Sequence, residues 1–222
     1  MSRRDLAAFA EQALGHRFND PFLLERALTH SSNGKNSYER LEFLGDRVLG
    51  LVVARWLFER FPNEPEGRLA RRLNALVARE SCAEVGRRLG LPHLIRVGRQ
   101  AREDGAHQGD NVIGDVVEAL IGALLLDGGF DVAERFIRTA WVASLEGQGQ
   151  APLHPKSALQ ELAAAQGREP PAYETVARSG AHHAPRFTIR VSVKGLGEAQ
   201  AEGASKQEAE TAAAAALLTR LQ

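Results

Sequence analysis

Apolar residues recur every three or four positions through most of the first 146 residues, the spacing that gives an α-helix one buried stripe. Asp20-Pro21 opens one such helix, Asp as N-cap and Pro in the first turn, ahead of the run FLLERALTH. A long helical pattern covers 38–61 and stops at Pro62, which cannot continue a helix. Further helical runs are expected over 69–89, over 111–126 with a stop at Gly128-Gly129, and over 132–145. Beyond residue 153 the period changes. A short helix over 157–166 precedes strands over 172–178 and 186–194. The second strand alternates Phe187, Ile189, Val191 and Val193 against Thr188, Arg190, Ser192 and Lys194. Gly195 makes a turn, 198–202 a weaker third strand, and 205–221 an Ala-rich closing helix. The expected fold is a mainly α domain over 1–146, a flexible linker over 147–153 and an α+β domain over 154–222 in the order α-β-β-β-α. A linker of about seven flexible residues reaches roughly 15 Å.

Composition narrows the class. Of 222 residues, 44% are hydrophobic and 25% charged, which argues against disorder. The longest uncharged apolar stretch, 119–126, is far shorter than the ~20 residues of a membrane span. Glu11 interrupts the N-terminal segment where a signal peptide needs apolar residues, so the expectation is a cytoplasmic protein with no membrane contact. A single cysteine, Cys82, excludes an intrachain disulfide and a multi-cysteine zinc site; its expected role is buried packing. Twenty-eight basic and 28 acidic side chains cancel, whereas nucleic-acid binders usually carry excess positive charge. The two halves carry −1 (residues 1–153) and +1 (residues 154–222), so any basic face is local.

The candidate chemistry lies in carboxylates among apolar neighbours. In ERLEFLGDRVLGLVVA (39–54), Glu39, Glu42 and Asp46 fall within a ~60° arc of one helix face. In GDVVEALIGALLLDGG (114–129), Asp115 and Glu118 share a face at i and i+3. Each set could be a solvated stripe on an amphipathic helix. However, no basic residue follows Glu42 or Asp115 at i+4, and both runs are apolar enough to be largely buried. Carboxylates converging there repel one another and take up protons unless a cation joins them. Hard oxygen donors favour Mg²⁺ or Mn²⁺ over zinc.

The stretch HSSNGKNSYERLEFLGDRVLG resembles the signature of bacterial ribonuclease III, and GDVVEALIGALLLDGG resembles that family's second acidic helix. EPEGRLARRLNALVARESCA between them is also similar, with Glu66 before Gly67. The resemblance implies that Glu42, Asp46, Asp115 and Glu118 form a Mg²⁺ site, with Mn²⁺ able to substitute, and that Asp46 and Glu118 are the catalytic pair. Glu39 and Glu66 match acidic positions of the cleft or dimer interface. Arg47 stands where many members have a small residue. The implied activity is hydrolysis of double-stranded RNA by a homodimer, one strand per subunit, leaving 5′-phosphate and 3′-hydroxyl ends with two-nucleotide 3′ overhangs. Ribosomal RNA precursors and other structured transcripts are the implied substrates.

HPKSALQELAAAQG, SGAHHAPRFTIRV and GASKQEAETAAAAALL resemble a double-stranded RNA-binding domain, a module that reads A-form shape across two minor grooves. By that resemblance Gln160 and Glu161 face one minor groove, His183 with His182 beside it enters the next, and Lys206 meets phosphate at a helix start. A second basic residue usual after that lysine is replaced by Gln207. His93 and His107 read as surface or loop residues, and His30 as a cap on the helix before it. The pairs Arg71-Arg72 and Arg87-Arg88 read as solvated faces with a capacity for phosphate contacts. The competing reading is a dimeric RNA-binding protein without catalysis, which would be expected to lack one or more of the four acids. A nucleotide phosphohydrolase would leave residues 154–222 without a role.

Overall fold

The two most apolar runs fold into two long helices that meet at a pair of glycines, and the other helices of the N-terminal unit pack around them. The computed structural model describes residues 3–149, 154–180 and 185–221. Its two compact units are Met1–Pro152 and Leu153–Gln222.

In the first unit, α1 (Arg3–Phe9) runs into one wide turn that stops at the left-handed Gly15. Helix α2 (Pro21–Ala27) starts as its sequence requires: the Asp20 carboxylate accepts from Phe22 N at 2.9 Å, with Pro21 in the first turn. His30 does not cap this helix. Its Nδ1 instead accepts from Ser32 N at 3.0 Å and caps the short turn Ser31–Asn33.

Next come α3 (Glu39–Arg60), α4 (Glu66–Leu76), α5 (Arg79–Arg88), the short α6 (Arg99–Glu103), α7 (Asp110–Gly128) and α8 (Phe130–Glu146). The run expected over 69–89 is therefore two helices, broken at an extended Ala78. The cause is tertiary. Buried Trp141 on α8 donates its indole N–H to the Leu76 carbonyl at 2.8 Å, which takes up the end of α4. Helix α5 then lies on α7, with Gly86 admitting Ile113 and Val117.

The arginine pairs are also not simply solvated. Arg72 is 2% exposed, grips both oxygens of Glu64 at 2.7 and 2.8 Å, lies over the Phe61 ring and donates to the Gln148 carbonyl at 2.9 Å. Arg87 pairs with Asp110, and Arg88 donates to the Ala140 carbonyl. Of the stretch 147–153, residues 147–149 are described, and Arg72 holds them to the helical unit through Gln148; the rest lies outside the described residues.

The second unit contains α9 (Pro155–Ala165), β1 (Ala172–Ser179), β2 (Arg186–Val193), β3 (Gly197–Gly203) and α10 (Lys206–Leu221). The strands form one antiparallel sheet in the order β1-β2-β3, in a register that aligns Thr175, Ile189 and Ala201. A bulge at Val176 interrupts β1. One sheet face buries Ile189, Val191, Val193 and Ala199, and a core of Leu159, Ala163, Ala213, Ala214 and Leu217 packs against it. The small residues of α10 permit close approach: a Cβ on Gly203 would stand 2.5 Å from Ala209 N.

The seam between α3 and α7 is tighter still. A Cβ on Gly45 would overlap the Glu118 carbonyl oxygen and lie 2.9 Å from Gly122 N, while one on Gly122 would overlap the Leu41 carbonyl oxygen. Backbone cannot yield as a side chain can, so Gly45→Ala is expected to cost about 3 kcal/mol or more by forcing the helices apart. Gly67→Ala, on α4 with open space around it, is expected to gain ~0.5–1 kcal/mol. Urea denaturation of both variants checks this. Equal effects would refute the packing assignment.

Candidate active site

The glycine seam brings four acids together. Glu42 and Asp46 stand one turn apart on α3, on either side of Gly45; Asp115 and Glu118 stand opposite on α7. Glu118 is the residue whose carbonyl faces Gly45. All four side chains are half-buried. Burial first, then the charges of Asp46, Glu42 and Asp115, push the Glu118 carboxyl up to about 7. Glu42 is raised by burial and by Asp115, Glu39 and Asp46. Burial raises Asp115 as well, partly offset by a hydrogen bond from Tyr38 and by the charges of Arg79 and His30.

Supporting side chains come from other segments. The hydroxyl of buried Tyr38 donates to Asp115 Oδ2 at 3.1 Å. The Cys82 thiol, fully buried on α5, lies 3.9 Å from Glu118 Oε1, and burial beside the carboxylates pushes its ionisation up. Arg79, at the start of α5, lowers Glu42, Asp115 and Glu118 together. Neither Tyr38 nor Arg79 stands out in the sequence as a site residue. Tyr38 precedes the acidic helix directly and could have been weighed there. Arg79 lies 36 and 39 positions from Asp115 and Glu118, and nothing in its local pattern marks it.

Glu39 is exposed, accepts from Ser37 Oγ at 2.9 Å and adds to the field on Glu42. Glu66 opens α4 and is exposed, and no described contact joins it to the four acids. Arg47 reaches back to Asp46 at 2.9 Å. In the second unit Gln160 and Glu161 are exposed on α9. Lys206 is exposed at the first position of α10, a helix start closed by Ser205 Oγ accepting from Glu208 N and by Glu208 accepting from Ala204 N. Gln207 beside it is exposed. His182 and His183 lie outside the described residues.

The donor set suits a hard divalent cation: four carboxylates, uncompensated enough that Glu118 holds a proton near neutrality. The acids do not form a closed cage. Among the described residues no three His, Cys, Asp or Glu side chains stand together as a ready coordination shell.

Known proteins resemble both units. A family model described as "Ribonuclease-III-like" matches residues 20–145, and one described as "Double-stranded RNA binding motif" matches residues 155–221. The protein named Ribonuclease 3 of Zymomonas mobilis is 57% identical over 218 residues, covering 98% of this chain and 89% of that protein. Ribonuclease 3 of Methylocella silvestris is 48% identical over 219 residues, covering 97% and 92%. The nuclease domain of ribonuclease III from Campylobacter jejuni has a similar structure, with a TM-score of 0.58 and 38% identity, covering 60% of this chain and 97% of that one; its description notes flexibility in a region involved in dimer formation.

The raised Glu118 fixes the sign of a pH effect. A carboxyl whose folded value exceeds its unfolded one stabilises fully below the unfolded value, here 4.5, and that contribution is lost as pH rises through about 7. Without divalent cation, Glu118→Gln should therefore melt above the parent at pH 8 and near it at pH 4. After discounting for solvent screening the gap is ~1 kcal/mol, or about 2–4 °C. Thermal melts in chelator at both pH values check it; a gap independent of pH would contradict the shift.

Proposed function

Because the chain belongs to the ribonuclease III family and is an endoribonuclease, we propose that it hydrolyses double-stranded RNA through a Mg²⁺ site built from Glu42, Asp46, Asp115 and Glu118. The products on this reading are 5′-phosphate and 3′-hydroxyl ends with two-nucleotide 3′ overhangs. Precursors of ribosomal RNA and other structured transcripts are the substrates, in the cytoplasm. The observation that carries the reading is the convergence of four half-buried acids across the Gly45–Gly122 seam, in a chain that also carries an RNA-binding motif.

When bound, the divalent cations supply an activated water and relief of the charge that builds on the leaving oxygen. The protein's part is placement and proton control. Tyr38 fixes the orientation of Asp115 by its 3.1 Å hydrogen bond. The helix backbones, in contact at Gly45, fix the spacing of Asp46 and Glu118. Glu118, with a proton affinity near neutrality when no cation is bound, must release its proton to serve as a ligand, so proton and cation compete for it and the Mg²⁺ concentration needed for half-maximal cleavage is expected to rise as pH drops below about 7. Asp46 and Glu118 carry the catalytic role.

A single seam cuts one strand, and the reading includes a homodimer. The outer face of α3 supports it: Phe43 is 70% exposed and Leu51 60%, with Phe58 also exposed and Leu126 of α7 beside them. Gly50 on that helix faces open space, so no contact among the described residues accounts for a glycine in mid-helix. Covering this face with a second copy removes an apolar patch from water. No helix of the described residues is long and apolar enough to cross a membrane.

The second unit supplies duplex binding through Gln160 and Glu161 on α9, His183 before β2, and Lys206 at the positive start of α10. Zero net charge is compatible with this, because each bound cation adds two positive charges where the phosphate sits.

Duplex RNA incubated with the protein and Mg²⁺ should give short duplexes with the stated ends, and none with Ca²⁺. Glu118→Gln should bind duplex as the parent does and cut it ~10³-fold more slowly, the loss that several kcal/mol of transition-state stabilisation carries. Lys206→Ala should cut normally at low salt but bind more weakly, with a salt slope reduced by about one phosphate contact. Robust cleavage by Glu118→Gln would refute the assignment.

A further inference from the structure

Arg47 follows Asp46 on α3 and sets its guanidinium 2.9 Å from Asp46 Oδ2, with the side chain 73% exposed. A second arginine, Arg79, acts on Glu42, Asp115 and Glu118, and His30 acts on Asp115. Of the four acids, Asp46 is the one in an ion pair with the arginine that follows it. The two arginines differ in origin. Arg79 comes from α5, beside Gly114 of α7, whereas Arg47 is joined to its carboxylate's residue by adjacency in the chain.

We propose that Arg47 competes with the divalent cation for Asp46 and so weakens ion binding on the α3 side of the site. This rests on the reading of the four acids as a metal site. A cation taking Asp46 must displace the guanidinium and then remain beside a positive charge anchored to the neighbouring residue. An exposed pair of this kind shifts an equilibrium by up to about fivefold. Because the Arg47 end of the pair is largely in water, salt screens it, and the penalty shrinks as ionic strength rises. Arg47 is therefore a positioning residue. It sets how much free divalent ion the enzyme needs, and a displaced guanidinium is left at the lip of the site.

Mn²⁺ titration followed by electron paramagnetic resonance tests this on the full chain, without RNA and without any readout of cleavage. R47A should bind Mn²⁺ about 3–5-fold more tightly than the parent at low salt, and less than ~2-fold more tightly when the Debye length is cut to about 3–4 Å by high salt. R47K, which keeps the charge, should stay close to the parent. In the D46N background the gain from R47A should vanish, because the contested carboxylate is gone. Arg47 lies one turn from both Phe43 and Leu51, so each protein is sized by light scattering and compared at one oligomeric state. Equal affinities for R47A and parent at low salt would overturn the proposal, as would an undiminished gain in D46N. If the parent binds no Mn²⁺, the metal-site reading itself fails and this proposal with it.

Discussion

The close approach of α3 and α7 at Gly45 and Gly122 is the constraint on which the site depends. Helices carrying ordinary side chains at a crossing hold their axes about 8–10 Å apart. Here the missing Cβ atoms let backbone meet backbone, with the Glu118 carbonyl where the Gly45 side chain would be. The acids sit on or near the residues of this contact, so the close approach of the two backbones sets how far apart their Cα atoms lie. Trp141, Gly86 and the α5–α7 packing serve the same end, because they bring Arg79 and Cys82 up to α7.

That rigidity has an electrostatic cost. Burial, and after it the charges of neighbouring carboxylates, raises the proton affinity of Glu42 and Glu118, and burial raises that of Asp115. The charge of Arg79 offsets part of it at all three, and at Asp115 the Tyr38 hydrogen bond and His30 offset more. Such a site is poorly satisfied by protons and arginines alone, which is the condition under which a divalent cation binds with most effect. Neutral overall charge thus conceals a local imbalance at the seam, where four carboxylates lie close to few arginines.

Much of this was legible in the chain, for local reasons. Asp20-Pro21, Pro62 and Gly128-Gly129 mark helix boundaries through backbone chemistry that works regardless of tertiary context, and the alternation in 186–194 marks a strand for the same reason. Spacing of i+3 and i+4 placed the acids on common helix faces, and the resemblance to a known family joined the two faces into one site. What stayed hidden depends on distant partners. The break at Ala78 follows from an indole N–H donated 65 positions away, and burial of Arg72 follows from Glu64, Phe61 and Gln148 closing around it. Arg79 reaches the acids only because α5 folds onto α7. His30 looked like a helix cap from its position and caps the next turn instead.

The most direct test of the central claim is anomalous diffraction from crystals grown with Mn²⁺. Density for the ion is predicted between α3 and α7, bounded by carboxylate oxygens of Glu42, Asp46, Asp115 and Glu118. Ordered Mn²⁺ elsewhere on the chain, with those four side chains left uncoordinated, would contradict it.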